Sequence, residues 1–156
     1  MKMLNASPGF GSPMNEDEVK QFLSSSKLNL QLGTVDEKGD PNVHPTWYYF
    51  DNNKIYIETS KGSKKVENIR RKDTIYFCID DETIPYKGVR GKGRVRISED
   101  VNSNIPIAQK LMIKYTGGLD NKVAKVLMDS VRGGLSVILE ITPTYYSTWD
   151  YGHLKM

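Results

Sequence analysis

The chain has 156 residues, enough for one domain of the usual ~100 to 200 residues with little room for a second. Its one cysteine, Cys78, excludes a disulfide framework and a cysteine zinc site and fits a reducing compartment, so a cytoplasmic location is expected. A net charge of +3, from 22 Lys+Arg against 19 Asp+Glu, is too mild to imply nucleic acid by itself.

A mean hydropathy of -0.52 is low, but two Trp, nine Tyr and four Phe offer large burial per side chain, so a folded core is expected. The longest apolar stretch, Leu135 to Ile141, is broken by Ser136 and Glu140 and falls far short of the ~20 residues of a membrane span. No apolar run follows Lys2, so no secretory signal is read.

Residues 1–14 include Asn5, Ser7, Pro8, Gly9, Gly11, Ser12 and Pro13, a loop composition that predicts a flexible arm ahead of a single domain over 15–156. Asn15 or Ser12 then caps a short helix through Phe22 and Leu23, with Glu16, Asp17 and Glu18 in the first turn, where the helix dipole favours anions. From Leu28 to Ile97 the period changes to two. Leu28, Leu30, Leu32 and Thr34 alternate with polar partners, and Glu37 to Pro41 is a turn. Val43 to Phe50 and Ile55 to Thr59 continue as a meander of hairpins. Ser63 to Arg71 predicts a helix with Val66 and Ile69 as its apolar face, ahead of a strand from Thr74 to Ile79.

The long run Tyr86 to Ile97 contains Gly88, Gly91 and Gly93, which mark bulges or bends in a barrel strand. It is not a phosphate loop, because no Ser or Thr follows Lys92. Arg90, Lys92, Arg94 and Arg96 alternate there and make one strand face basic, read as a solvated face rather than a nucleic-acid surface. Two helices follow. Asn104 and Pro106 start the first, which Gly117 and Gly118 stop, and Asp120 or Asn121 starts the second, which ends at Gly133 and Gly134. Leu135 to Thr142 is a last strand, and the tail Tyr145 to Met156 holds Trp149, Tyr151 and His153. The predicted barrel core comprises Leu30, Leu32, Val35, Ile55, Ile57, Ile75, Phe77, Val137 and Leu139.

The segment Thr59 to Asp73 is the richest in chemistry. Lys61, Lys64 and Lys65 cluster at the N-terminal turn of the predicted helix, where the dipole disfavours cations by a few tenths to ~1 kcal/mol each. A bound anion removes that conflict. Free backbone N–H groups, the hydroxyls of Thr59, Ser60 and Ser63 and those ammonium groups make a phosphate cradle, with Lys64 preferred because it directly follows Ser63. The alternative leaves Ser63 as a plain N-cap and the lysines on a solvated face. His44 and His153 are distant in sequence and make no recognisable metal motif, no serine sits in a nucleophile elbow, and Cys78 lies mid-strand. No side chain is assigned as catalytic and no metal is expected, so any chemistry belongs to a cofactor.

Residues Leu28 to Asp100, in this order of turn, proline strand, short strand and basic helix, resemble the pyridoxamine 5′-phosphate oxidase-related, flavin-binding split-barrel family. The resemblance implies a mainly β fold with flanking α, a six-stranded antiparallel split β-barrel of FMN-binding type. It places Val43, His44, Pro45, Thr46 and Trp47 beneath a flavin ring, and Thr59, Ser60, Ser63, Lys64 and Lys65, with Lys61 between them, at the phosphate end. It also implies a homodimer with cofactor sites at the interface, to which the aromatic tail residues Trp149 and Tyr151 are candidate contributors from either subunit. The ending TWDYG departs from the arginine and tryptophan pattern of the pyridoxamine phosphate oxidases themselves, so pyridoxamine phosphate is not implied as substrate.

The resulting expectation is an FMN-dependent oxidoreductase passing a hydride between flavin and a small organic substrate. The alternatives are a reductase using the deazaflavin coenzyme F420 on the same fold, a flavin carrier without turnover, and last a basic barrel that binds nucleic acid.

Overall fold

Leu30, Leu32 and Thr34 occupy one face of the second strand of the computed structural model, which describes residues 1–154, and that alternation sets the frame for the rest. The elements in chain order are β1 (Lys2–Asn5), α1 (Glu16–Ser25), β2 (Leu30–Val35), β3 (Pro41–Thr46), β4 (Tyr49–Asp51), β5 (Lys54–Ser60), α2 (Lys64–Arg71), β6 (Thr74–Asp81), β7 (Lys87–Ser98), α3 (Val101–Thr116), α4 (Lys122–Arg132) and β8 (Ser136–Asp150). A 3-10 turn, Tyr151–His153, closes the described chain, and Lys155 and Met156, the last two positions of the expected domain, lie outside the described residues.

Seven strands follow the order β3-β2-β6-β7-β8-β5-β4, and β1 joins β8 in parallel. β3 and β4 stand at the two ends of this order, so the barrel is split between them. The sheet therefore has eight strands rather than six. One addition arises because Val43 to Phe50 is not one strand but two, β3 and β4, separated at Trp47 and Tyr48. The other is β1, within the stretch expected as a flexible arm. Its side chains are largely exposed, so no hydrophobic period announces it, and backbone pairing from Lys2 opposite Tyr145 to Asn5 opposite Thr148 holds it.

β8 runs much further than the predicted Leu135 to Thr142. Its first half pairs with β5, its second half with β1, and its other edge with β7 over most of its length. The glycine-rich β7 is a bent barrel strand with an irregularity between Lys92 and Gly93, as its composition predicts. At Gly91 a side chain would collide with the Tyr145 carbonyl and the Phe77 ring, so this position needs the missing Cβ to let β6, β7 and β8 pack.

Leu30, Leu32, Ile55, Ile57, Ile75, Phe77, Val137 and Leu139 are all buried inside the barrel, each such side chain contributing about 1.5–3 kcal/mol relative to exposure. Val35 is the exception. The period that buries Leu30 and Leu32 buries Thr34 and leaves Val35 half-buried, and the Thr34 hydroxyl accepts a bond from Asn68 Nδ2 at 3.0 Å. A second, smaller core forms between α3 and α4, where Ala108, Leu111, Met112, Ala124, Met128 and Val131 are buried against Trp47 and Tyr49. α3 starts at Val101, one turn earlier than Asn104, and carries Pro106 within its second turn. No helix is long and apolar enough to cross a membrane among the described residues.

Candidate functional site

The helical hairpin α3–α4 does not lie flat on the barrel. It stands off from the faces of β3 and β5 and leaves a cleft of about 470 Å³. β3 and the residue after it supply His44, Pro45, Thr46 and Trp47, the end of β5 supplies Glu58, Thr59 and Ser60, and α2 supplies Lys65. Leu111, Met112 and Leu127 form the apolar wall on the helical side. A smaller recess of about 130 Å³ adjoins it, lined by Asn42, Ser63 and Lys64 among others, and both share His44 and Lys65.

Trp47 is fixed from behind. Its ring stacks on Tyr115 of α3 with centroids 4.8 Å apart and planes 4° from parallel. The Tyr115 hydroxyl donates to the Leu28 carbonyl at 2.9 Å and accepts from the Tyr48 N–H at 3.1 Å. Lys114 Nζ donates to the Tyr48 carbonyl at 2.7 Å and lies 3.5 Å from the Tyr48 ring centroid. Burial holds the Lys114 ammonium down at about 8. These bonds lock the Trp47–Tyr48 break between β3 and β4 to α3, so the cleft wall is rigid where the strands part.

At the other end, adjacent lysines have opposite environments. Lys64 is exposed and its Nζ meets Glu37 at 2.8 Å and Glu67 at 3.9 Å. Its pKa is raised, first by the hydrogen bond to Glu37. Lys65 makes no ion pair among the described residues and faces the cleft, and burial lowers its pKa against the opposing influence of Glu58. Ser63 caps α2 in an extended conformation without a side-chain capping bond, and its hydroxyl is buried with no partner. A desolvated ammonium, an orphaned buried hydroxyl and the free N–H groups of a helix start together fit a phosphate. The rest of the basic segment is occupied elsewhere, Lys61 and Arg70 on Glu99 at 3.5 and 2.8 Å and Arg71 on Glu37 at 3.3 Å.

The structure thus brings His44, Pro45, Thr46, Trp47, Thr59, Ser60, Ser63, Lys64 and Lys65 around two joined recesses, while Lys61 turns away to Glu99. Val43 alternates with His44 and sits on the opposite side of β3, 66% exposed, at a separate cleft of about 440 Å³ that also involves Tyr76, Cys78, Arg90 and Tyr145. Within one chain neither Trp149 nor Tyr151 reaches the cleft. Trp149 folds over Gly88, where an added Cβ would strike its ring, and Tyr151 packs edge-on against Tyr86 with centroids 6.2 Å apart.

Sequence reasoning missed Glu58, Ser130, Ser136 and the helical wall. Glu58 was legible in part, since strict alternation with buried Ile55, Ile57 and Thr59 puts it on the outer face of β5. That α3–α4 would cover that face was not. His153, unassignable from sequence, has Nε2 3.2 Å from Glu18 and 3.4 Å from Asp150 and ties the C-terminal turn to α1.

A family model described as pyridoxamine 5′-phosphate oxidase matches residues 16–150. Among solved structures, a conserved hypothetical protein from Mycobacterium tuberculosis is 25% identical with a TM-score of 0.79, covering 97% of this chain and 96% of its own. A structure described as an F420 reductase is 23% identical with a TM-score of 0.66, covering 87% of this chain and 98% of its own. A FAD-binding protein from Mesorhizobium loti is 18% identical with a TM-score of 0.66, covering 88% and 95%. The last two likenesses are of fold alone. No curated protein matches the chain.

Proposed function

The chain belongs to the pyridoxamine 5′-phosphate oxidase family, and from that premise we propose that it is an FMN-binding oxidoreductase acting on a small organic substrate. The observation that carries this reading is the pairing of a buried, partnerless Ser63 hydroxyl with a desolvated Lys65 that has no acid bound to it among the described residues. Lys65, rather than Lys64, takes the phosphate, with Ser63, Thr59 and Ser60 completing the cradle. The strand residues Pro45 and Thr46 and the braced Trp47 line the part of the cleft left for the ring.

FMN, when bound, supplies the hydride acceptor and donor. The chain's part is orientation, because the Trp47–Tyr115 stack and the bonds around Tyr48 brace the cleft wall where β3 and β4 part. His44 lines both recesses and is assigned no catalytic role. His44→Gln is therefore expected to leave flavin reduction by an artificial donor largely intact.

A second reading, in which the cofactor is F420, is supported by the fold shared with an F420 reductase. The deciding experiment is the visible spectrum of the purified protein with mass identification of the released cofactor, followed by steady turnover with NAD(P)H or reduced deazaflavin. Cofactor without turnover would make the protein a carrier, and a colourless protein that binds no added FMN would overturn the flavin reading.

A homodimer is part of the proposal. Val43 and Tyr76, 66% and 53% exposed, flank the second cleft on the outer sheet face, and a second copy of the chain is proposed to cover it. A monomeric mass that persists with cofactor bound would remove it. A soluble, cytoplasmic setting agrees with the single free thiol of Cys78, half-buried within β6.

A further inference from the structure

Glu58 is out of place in a cleft built for an anion. It is half-buried on β5, one residue before Thr59, and lines the same space as Lys65. Ser130 and Ser136 line the cleft with it, and their Oγ atoms lie 2.8 Å apart, so a pair of hydroxyls from α4 and β8 shares the space that the carboxyl lines. Of the side chains lining the cleft, only His44 from β3, Glu58 from β5 and Lys65 from α2 can ionise. α3 adds Leu111 and Met112, α4 adds Leu127 and Ser130, and β8 adds Ser136.

Without a ligand, Lys65 offsets a Glu58 carboxylate. Desolvation works against both charges, raising the carboxyl pKa and lowering that of the ammonium. A phosphate seated on Lys65 takes over that cation and sets a second anion in the cleft that Glu58 lines, where the carboxyl is already partly desolvated. Like charges so placed do not both stay ionised, and the carboxylate is the one that can take a proton from solvent.

We infer that Glu58 sets the charge selectivity of this cleft: it becomes a neutral carboxylic acid when a phosphate-bearing ligand binds, and then donates a hydrogen bond to an uncharged oxygen of that ligand. The inference rests on the assignment of the phosphate to Lys65. The ligand class it specifies has one anionic group, a phosphate ester, next to hydroxyl or carbonyl oxygens. A ligand with a carboxylate beside the phosphate is disfavoured, because it adds a further anion to a cleft whose lining carries Lys65 as its one lysine.

Isothermal titration at about pH 7.5, where a phosphate monoester is already mostly dianionic, in two buffers of different ionisation enthalpy counts the protons taken up on binding. FMN is one probe, and sulfate, whose charge does not titrate in this range, is the other. The parent is expected to take up a fraction of a proton approaching one per site with either probe, and Glu58→Gln to take up markedly less. Its affinity for FMN between about pH 7 and 9 should fall less steeply than that of the parent, which loses up to tenfold per unit. Removing the Glu58 carboxylate lowers the Lys65 pKa further, so any proton taken up at Lys65 would be larger in the variant than in the parent, opposite in sign to the expected change. Equal uptake in parent and variant, or no uptake in the parent, overturns the inference. Sulfate binding with Glu58-dependent uptake but no FMN binding would retain it and sink the flavin reading instead. Failure of both probes to bind at millimolar concentration overturns both.

Discussion

The N-termini of α1 and α2 begin alike and are finished differently. At α1, Asn15 Oδ1 accepts from the Glu18 N–H at 2.8 Å and Glu18 Oε1 accepts from the Asn15 N–H at 3.1 Å, a closed capping box with Glu16, Asp17 and Glu18 in its first turn. At α2, Ser63 makes no side-chain capping bond, and the first turn opens with Lys64 and Lys65. The first helix satisfies its own dipole. The second leaves N–H groups, a buried hydroxyl and a cation without an ion-pair partner among the described residues facing a cleft, so it is completed by something added from outside. Local stability was given up at one helix start and kept at the other, and the difference marks the site.

The largest expected effect separates the two lysines. Lys65→Ala should weaken FMN binding by ~1.5–3 kcal/mol, the loss of a charge-assisted hydrogen bond, or roughly ten- to 150-fold. Lys64→Ala, which removes a cation already held by Glu37, should change affinity by no more than about threefold. Flavin fluorescence titration measures both, and equal losses would show that the outer and cleft faces of α2 do not differ as described.

The two caps should respond in opposite ways. Asn15→Ala removes the capping box and should cost ~1 kcal/mol of unfolding free energy, within about 0.5–2, with FMN affinity unchanged. Ser63→Ala removes a hydroxyl that bonds to nothing, so stability without cofactor should hold or rise slightly, while FMN affinity falls by ~0.5–1.5 kcal/mol. Denaturant unfolding and titration on the same two variants read the split. A Ser63 variant that loses stability but not affinity would make Ser63 an ordinary cap.

How much of this was legible follows from which forces leave a trace in one sequence. Periods of two and the glycines of β7 exposed the barrel, because burial repeats along a strand and close approach demands a missing side chain. The basic turn after β5 was visible as a conflict with the helix dipole. Its resolution was not, since the choice between Lys64 and Lys65 depends on Glu37, which lies beyond β2 and three strands away along the chain. β1 left no signal, being held by its backbone. The cleft's far wall needed the stand-off of α3–α4, a packing outcome fixed by the Trp47–Tyr115 stack and the bonds around Tyr48 rather than by any motif.

The smallest effect sharpens the same contrast, because α1 is closed a second time from outside. Glu18 Oε1 serves the capping box while Oε2 faces His153 Nε2 at 3.2 Å, and His153 also approaches Asp150 at 3.4 Å. The backbone bond between the His153 ring and the Ser12 carbonyl, followed by the two carboxylates, raises the His153 pKa above its ordinary value near 6.5. A folded-state pKa above the unfolded one means that the imidazolium stabilises the fold. That contribution is fully present below about pH 6.5 and is lost as pH rises through the higher folded value. His153→Gln should therefore melt below the parent at about pH 5.5, with the gap closing as pH rises through the folded value and shrinking in high salt, because the group is open to solvent. FMN affinity should be indifferent to this variant across that range, since the clasp and the cleft lie on different elements. A gap that stays constant with pH would mean that His153 holds the C-terminal turn by packing and by its bond to Ser12, and that its charge contributes nothing to closing α1.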